Sequence, residues 1–123
     1  MTDTVFVHDL EVECLVGTEP DERLGAQLLT VDVDAVCDCG PAGRTDRLDD
    51  TVDYVHVVEI VRERAAASRF HLLEALASDI ATTLLARLPR AEAVRVRVVK
   101  PEALAGVPSV GVELVRRRQQ GAA

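Results

Sequence analysis

Val94-Arg95-Val96-Arg97-Val98-Val99-Lys100-Pro101 repeats every two residues, with Val94, Val96 and Val98 alternating with Arg95 and Arg97. That is the period of a strand with one buried and one wet face. The stretch before it repeats differently. Leu73, Leu76, Ala77, Ile80, Leu84 and Leu88 form a wide apolar stripe at helical spacing, which Pro89 ends. An earlier helix places Val57, Ile60, Val61 and Arg64 on one face, with Asp50 or Asp53 available to cap its first amides and Ala65-Ala66-Ala67 carrying it to Ser68. Further upstream, Leu29, Val31, Val33 and Ala35 alternate with Thr30, Asp32 and Asp34, and Thr4, Phe6, His8, Leu10, Val12, Cys14 and Val16 read as one side of a long first strand. Downstream, Val110, Val112 and Leu114 alternate with Gly111 and Glu113.

The order is therefore ββααββ, an α+β chain in which a four-stranded antiparallel sheet carries two helices on one face. Gly17 to Gly25, broken by Pro20, and Cys39 to Arg47, rich in Gly, Pro and charge, read as loops. Pro101 is expected to end regular pairing after Lys100. We read residues 1–123 as a single domain with a flexible tail from about 117. One sheet face and both sheet edges are left bare, which favours closure against further copies of the chain.

The balance of 21 acidic against 14 basic residues gives a net charge of −7. Phosphate backbones and anionic membranes need a positive surface, so neither nucleic acid nor membrane is an expected partner. The Arg116-Arg117-Arg118 run reads as a solvated strand end. No apolar run reaches the length of a membrane span, and the odd count of three cysteines suits a reducing compartment, so the expected location is cytoplasmic. Cys37-Asp38-Cys39 lacks a second ligand pair among His8, His56 and His71, so no metal and no cofactor are expected.

Four segments hold polar groups that the fold does not require. Lys100 is the one lysine among 14 basic residues, the rest being arginine. An arginine keeps its proton near neutral pH whereas a desolvated lysine can release one, which marks Lys100 as a candidate acid/base group. Tyr54, the only tyrosine, stands at the entry to the first helix, where a phenol can donate a proton to a carbanion-like centre. Glu74 lies at the start of the second helix, where the dipole favours its charge and a carboxylate can accept two parallel N–H bonds from an amidine-like group. Glu22 lies in the first loop. Each has a plain alternative as a solvated or helix-start residue.

Taken together, Thr45-Asp46-Arg47-Leu48-Asp49-Asp50-Thr51-Val52-Asp53-Tyr54, then Ser68-Arg69-Phe70-His71-Leu72-Leu73-Glu74, then Val96-Arg97-Val98-Val99-Lys100-Pro101 and Val110-Gly111-Val112-Glu113 resemble the dihydroneopterin aldolase family in order and spacing. The resemblance implies a tunnelling fold, in which four subunits close their sheets into a barrel and two rings stack into a homo-octamer with sites between neighbouring subunits. It implies a lyase reaction of folate biosynthesis that splits 7,8-dihydroneopterin into 6-hydroxymethyl-7,8-dihydropterin and glycolaldehyde without a Schiff base. Carried over by position, Lys100 is the acid/base, Glu22 helps hold the substrate side chain and a water, and Tyr54 comes from an adjacent subunit. Glu74 with the Leu73 backbone, together with Val52, binds the pterin. Glu19-Pro20-Asp21 and Glu102 depart from the family pattern, and their acidity favours an unphosphorylated substrate. An epimerase on the same fold and a pterin-binding ring without turnover use the same residues. Released glycolaldehyde separates them.

Overall fold

The computed structural model describes residues 3–119, apart from the side chain of Glu102. Its elements run β1 (Thr4–Cys14), β2 (Gln27–Val36), α1 (Gly40–Thr45), α2 (Tyr54–Ala67), α3 (Leu73–Arg87), β3 (Ala93–Leu104) and β4 (Val107–Arg117). The four strands form one antiparallel sheet in the order β1-β2-β3-β4. The helical stripe and the two-residue alternation converge on a single core. Leu29, Val31, Val33 and Ala35 of β2 and Val94, Val96 and Val98 of β3 are buried beneath Val57, Ile60 and Val61 of α2 and Leu76, Ile80 and Leu84 of α3. Asp53 caps α2, its carboxylate accepting from the Val55 amide at 2.9 Å. Arg64, the polar member of the α2 stripe, pairs with Asp79 of α3 at 2.8 Å.

Strand β1 does not keep one face along its length. His8 and Asp9 together oppose Asp32, between the pairs Val7↔Val33 and Leu10↔Val31. This bulge swaps the faces, so Val5 and Val7 pack toward the core in line with Leu10, Val12 and Cys14, while Thr4, Phe6 and His8 turn outward. Asp9 takes a left-handed φ of 58°, which a short polar side chain tolerates, and its amide donates to Asp32 Oδ1 at 2.7 Å. His8 Nε2 meets Asp34 Oδ1 at 2.8 Å, and that bond raises the imidazole above its usual pKa.

Three further expectations need correction. Residues 39–47 are not wholly loop: α1 forms because Pro41 sits in its first turn, where no amide partner is lost, and Asp38 Oδ1 accepts from the Gly40 amide. Pro101 does not end pairing, since it faces Ser109 and the β3–β4 hairpin runs on to Leu104↔Val107 past an irregularity. The start of the tail expected from about 117 is tied to the fold. Arg117 closes β4, and the exposed Arg118 donates to the carbonyls of Leu85, Leu88 and Ala91, satisfying the end of α3. Residues 120–123 of that expected tail lie outside the described residues.

Gly111 faces Val99 across the β3–β4 pair, and a Cβ there would lie 2.1 Å from the Val98 carbonyl oxygen. The obstacle is backbone, which cannot rotate aside. Gly111→Ala is expected to lower unfolding stability by about 1–3 kcal/mol or more in urea titration. A midpoint equal to wild type would contradict this packing.

Candidate active site

The two ends of the sheet are set by element lengths. The end of α3 reaches the start of β3 through Leu88 and the Ala91 turn. Its 15 residues span roughly 22 Å, and the strand from Ala93 to Lys100 spans roughly 23 Å, so the helix start returns level with Lys100. Leu73 and Glu74 therefore lie at the Lys100 end of the sheet.

Glu22 arrives there from the first loop. Its residues 21–23 make a single 3-10 turn after Pro20. Lys100 Nζ donates to Glu22 Oε2 at 2.7 Å, with the lysine side chain 15% and the glutamate side chain 24% exposed. The other oxygen, Oε1, accepts from the Glu19 amide at 3.2 Å. Gly17 makes room for this carboxylate: it holds φ +139°, and a Cβ on it would fall 2.5 Å from Glu22 Cδ. The loop is joined to the α2–α3 connection by the Gly17 amide on Phe70 O at 3.3 Å and the Ser68 hydroxyl on Leu15 O at 2.9 Å.

The Lys100 ammonium first, and the Glu19 amide second, hold the Glu22 carboxyl below the ordinary glutamate value of 4.5. A depressed carboxyl contributes its stabilisation above the unfolded-state value and loses it as pH falls through the folded-state value. The expected result is that residues 17–27 keep their amide protection at pH 4.5 and lose it only in more acid solution, as followed by hydrogen exchange. Opening of this loop at or above pH 4.5 would refute the pairing.

Glu74 is exposed and forms no hydrogen bond or ion pair among the described residues. No side chain caps the first turn of α3, and the first intrahelical bond is Leu76 N to Leu72 O at 3.3 Å. The Leu73 side chain is buried, so its backbone amide is what it can offer to a ligand. This end of the sheet thus combines an ion-paired amine, an unpaired carboxylate and a free row of amides. Such a set can exchange a proton and hold a flat N–H edge.

Tyr54 is elsewhere. Arg90 ties Asp49 O and Asp50 Oδ1 to the turn before β3, which fixes residues 48–53 at the Ala93 end. There Tyr54, 63% exposed, lines a cleft of about 410 Å³ with Thr4, Phe6, Leu48, Val52 and Val55. Val52 is itself buried. Tyr54 and Lys100 are separated by most of the strand length, roughly 20 Å at 3.3 Å per residue. One chain brings Lys100, Glu22, Leu73 and Glu74 together and leaves Tyr54 and Val52 at the far end. The residue that sequence reasoning passed over is Arg23, whose acceptors are backbone carbonyls distant in the chain.

Residues 5–115 match the family described as dihydroneopterin aldolase. A dihydroneopterin aldolase of Methylorubrum extorquens is 39% identical over 127 residues, covering 100% of this chain and 96% of the relative. Among solved structures, the Escherichia coli dihydroneopterin aldolase in complex with neopterin superposes with a TM-score of 0.88 at 32% identity, covering 94% of this chain and 99% of that one. A Burkholderia dihydroneopterin aldolase bound to guanine gives a TM-score of 0.78 at 30% identity, covering 94% and 91%. With the family match running over residues 5–115 and a relative 39% identical across the whole chain, the chain belongs to the dihydroneopterin aldolase family.

Proposed function

We propose that this chain splits 7,8-dihydroneopterin into 6-hydroxymethyl-7,8-dihydropterin and glycolaldehyde. The observation that carries the reading is the Lys100–Glu22 pair, 2.7 Å apart, at the same end of the sheet as the unpaired Glu74. The Glu74 carboxylate accepts two N–H bonds from the aminopyrimidine edge of the pterin, and the first amides of α3 hold the rest of that edge. Those remote contacts fix the side-chain hydroxyls beside Lys100.

Cleavage of the carbon–carbon bond then needs only proton movement. Lys100, acting through a water that Glu22 helps to hold, takes the proton of the side-chain hydroxyl whose carbon becomes the glycolaldehyde carbonyl. The electron pair of the breaking bond passes into the conjugated C=N of the dihydropterin, whose ring nitrogen gains a proton to give an enamine. Protonation of the exocyclic carbon, with return of the ring nitrogen's proton to the acid/base groups, restores the C=N and completes 6-hydroxymethyl-7,8-dihydropterin. Tyr54 of a neighbouring copy serves this last step. No bond to the enzyme forms.

The separation of Tyr54 from Lys100 supports a site shared between copies, because neither end of one chain holds the whole set. The unpaired edges of β1 and β4 are where copies would join, closing four sheets into a barrel, with two such rings giving an octamer. Three free thiols, Cys14, Cys37 and Cys39, support a reducing, cytoplasmic setting. No helix among the described residues is long and apolar enough to cross a membrane.

The test is incubation with 7,8-dihydroneopterin, following glycolaldehyde and the epimeric substrate by chromatography. Glycolaldehyde in step with the dihydropterin product is the expected result. Epimer without glycolaldehyde would make the chain an epimerase, and neither product would leave a binding ring.

A further inference from the structure

Arg23 follows Glu22 directly, yet among the described residues its guanidinium meets no carboxylate. Nη1 donates to Phe70 O at 2.8 Å and to Gly17 O at 3.4 Å, and Nη2 donates to Arg69 O at 2.9 Å. Three carbonyls from two separate segments thus converge on one partly buried cation. The first segment folds around the Glu22 carboxylate through Gly17. The second leads within a few residues into Leu73 and Glu74. Apart from Arg23, the connections between these segments are single bonds: the Gly17 amide on Phe70 O and the Ser68 hydroxyl on Leu15 O.

We propose that Arg23 is a positioning residue for carbon–carbon cleavage, tying the loop that carries Glu22 to the connection that starts α3. This rests on the reaction proposed above, and goes beyond it by naming what sets the distance between its two halves. Glu22, which pairs with Lys100 of β3, is placed by the first loop, the ring by the start of α3, and the reacting bond has to lie between them. A planar fork with fixed donor directions suits three converging carbonyls, whereas an ammonium on a flexible stem does not hold their mutual angles. Misplacement by about 1 Å between bound ring and acid/base group is enough to lower turnover on the order of 100-fold.

The experiment uses the assembled full chain and compares wild type with Arg23→Ala, Arg23→Lys, Glu22→Gln and the double variant Glu22→Gln/Arg23→Ala. Kinetics follow glycolaldehyde released from 7,8-dihydroneopterin. Affinity is read with 6-hydroxymethyl-7,8-dihydropterin, which keeps the ring and lacks the bond to be broken. The expected result for Arg23→Ala is a kcat lowered about 10- to 100-fold with product affinity changed less than about threefold. Arg23→Lys falls between that variant and wild type, and carries the test if the alanine variant does not assemble. The double variant is no slower than Glu22→Gln alone, because Arg23 acts through Glu22.

Losses that multiply in the double variant, or an Arg23→Lys enzyme as fast as wild type, overturn the proposal. A readout independent of turnover is the Glu22 carboxyl titration by NMR, which moves up toward the ordinary glutamate value in Arg23→Ala as the Lys100 contact loosens. A wild-type chain that releases no glycolaldehyde sinks the reaction reading instead. The carboxyl shift then decides whether the tie exists, and an unchanged titration overturns it.

Discussion

Lys100→Ala is expected to lower the rate of glycolaldehyde release about 1,000-fold while changing the affinity for 6-hydroxymethyl-7,8-dihydropterin less than about threefold, within the range that a positioned acid/base group contributes. The split follows from geometry. Lys100 reaches the site from β3 and bonds to Glu22, whereas the ring is assigned to Glu74 and the first turn of α3, which do not depend on the amine. Lys100→Arg makes the test sharper. It keeps a cation opposite Glu22 and so preserves the electrostatics of the pair, but a guanidinium does not release a proton near neutral pH. Its turnover is expected to fall nearly as far as that of the alanine variant. An arginine enzyme with wild-type turnover would show that a fixed positive charge suffices, and the proton-transfer role would fall. Borohydride added during turnover is expected to trap no substrate adduct on the wild-type lysine, because electrons displaced from the breaking bond go to the pterin.

The elements with long, unbroken periods were legible before any coordinates. The α3 stripe from Leu73 to Leu88 is buried as its spacing demands, and Val94, Val96 and Val98 face the same core. Strand β1 misled for a physical reason. Its alternation is continuous in composition from Thr4 to Val16, because both halves of the strand carry apolar residues on alternate positions. Only the pairing with β2 shows that two residues oppose Asp32 and that the faces exchange. Arg118 was hidden in a run of three arginines whose composition suggests solvent, while its acceptors are the last carbonyls of a helix about thirty residues earlier.

The site divides along the same line. Lys100, Glu22 and Glu74 could be singled out by residue type and local setting, since an isolated lysine, a loop acid and a helix-start carboxylate are visible one at a time. Their convergence was not. It depends on the length of α3 matching the length of β3, and on the 3-10 turn after Pro20 carrying Glu22 inward. Arg23 was invisible for a deeper reason. A side chain that binds backbone carbonyls leaves no complementary residue type in the sequence to find.

Co-assembly of two inactive variants is expected to restore activity. Lys100→Ala removes the amine from one end of the sheet and Tyr54→Phe removes the phenol from the other. If each site combines Lys100 of one chain with Tyr54 of its neighbour, neither variant alone builds an intact site. In a ring formed from equal amounts of both, a site is intact when the Lys100 donor is the Tyr54→Phe chain and its neighbour is the Lys100→Ala chain. Each condition holds for half of the chains, so about a quarter of sites, and about a quarter of wild-type turnover, should return in a ring with heterologous interfaces. The effect is large because both homogeneous parents sit near the background of the assay. Mixing has to occur by co-expression or by refolding together, and the solution mass must show the same assembly as wild type. Sites built within one chain predict the opposite, since every chain then carries one lesion and no mixture can exceed its parents. That outcome would require Tyr54 and Lys100 to approach across most of the length of β3, which the packing of α2 against β1 and the anchoring of residues 49 and 50 by Arg90 forbid.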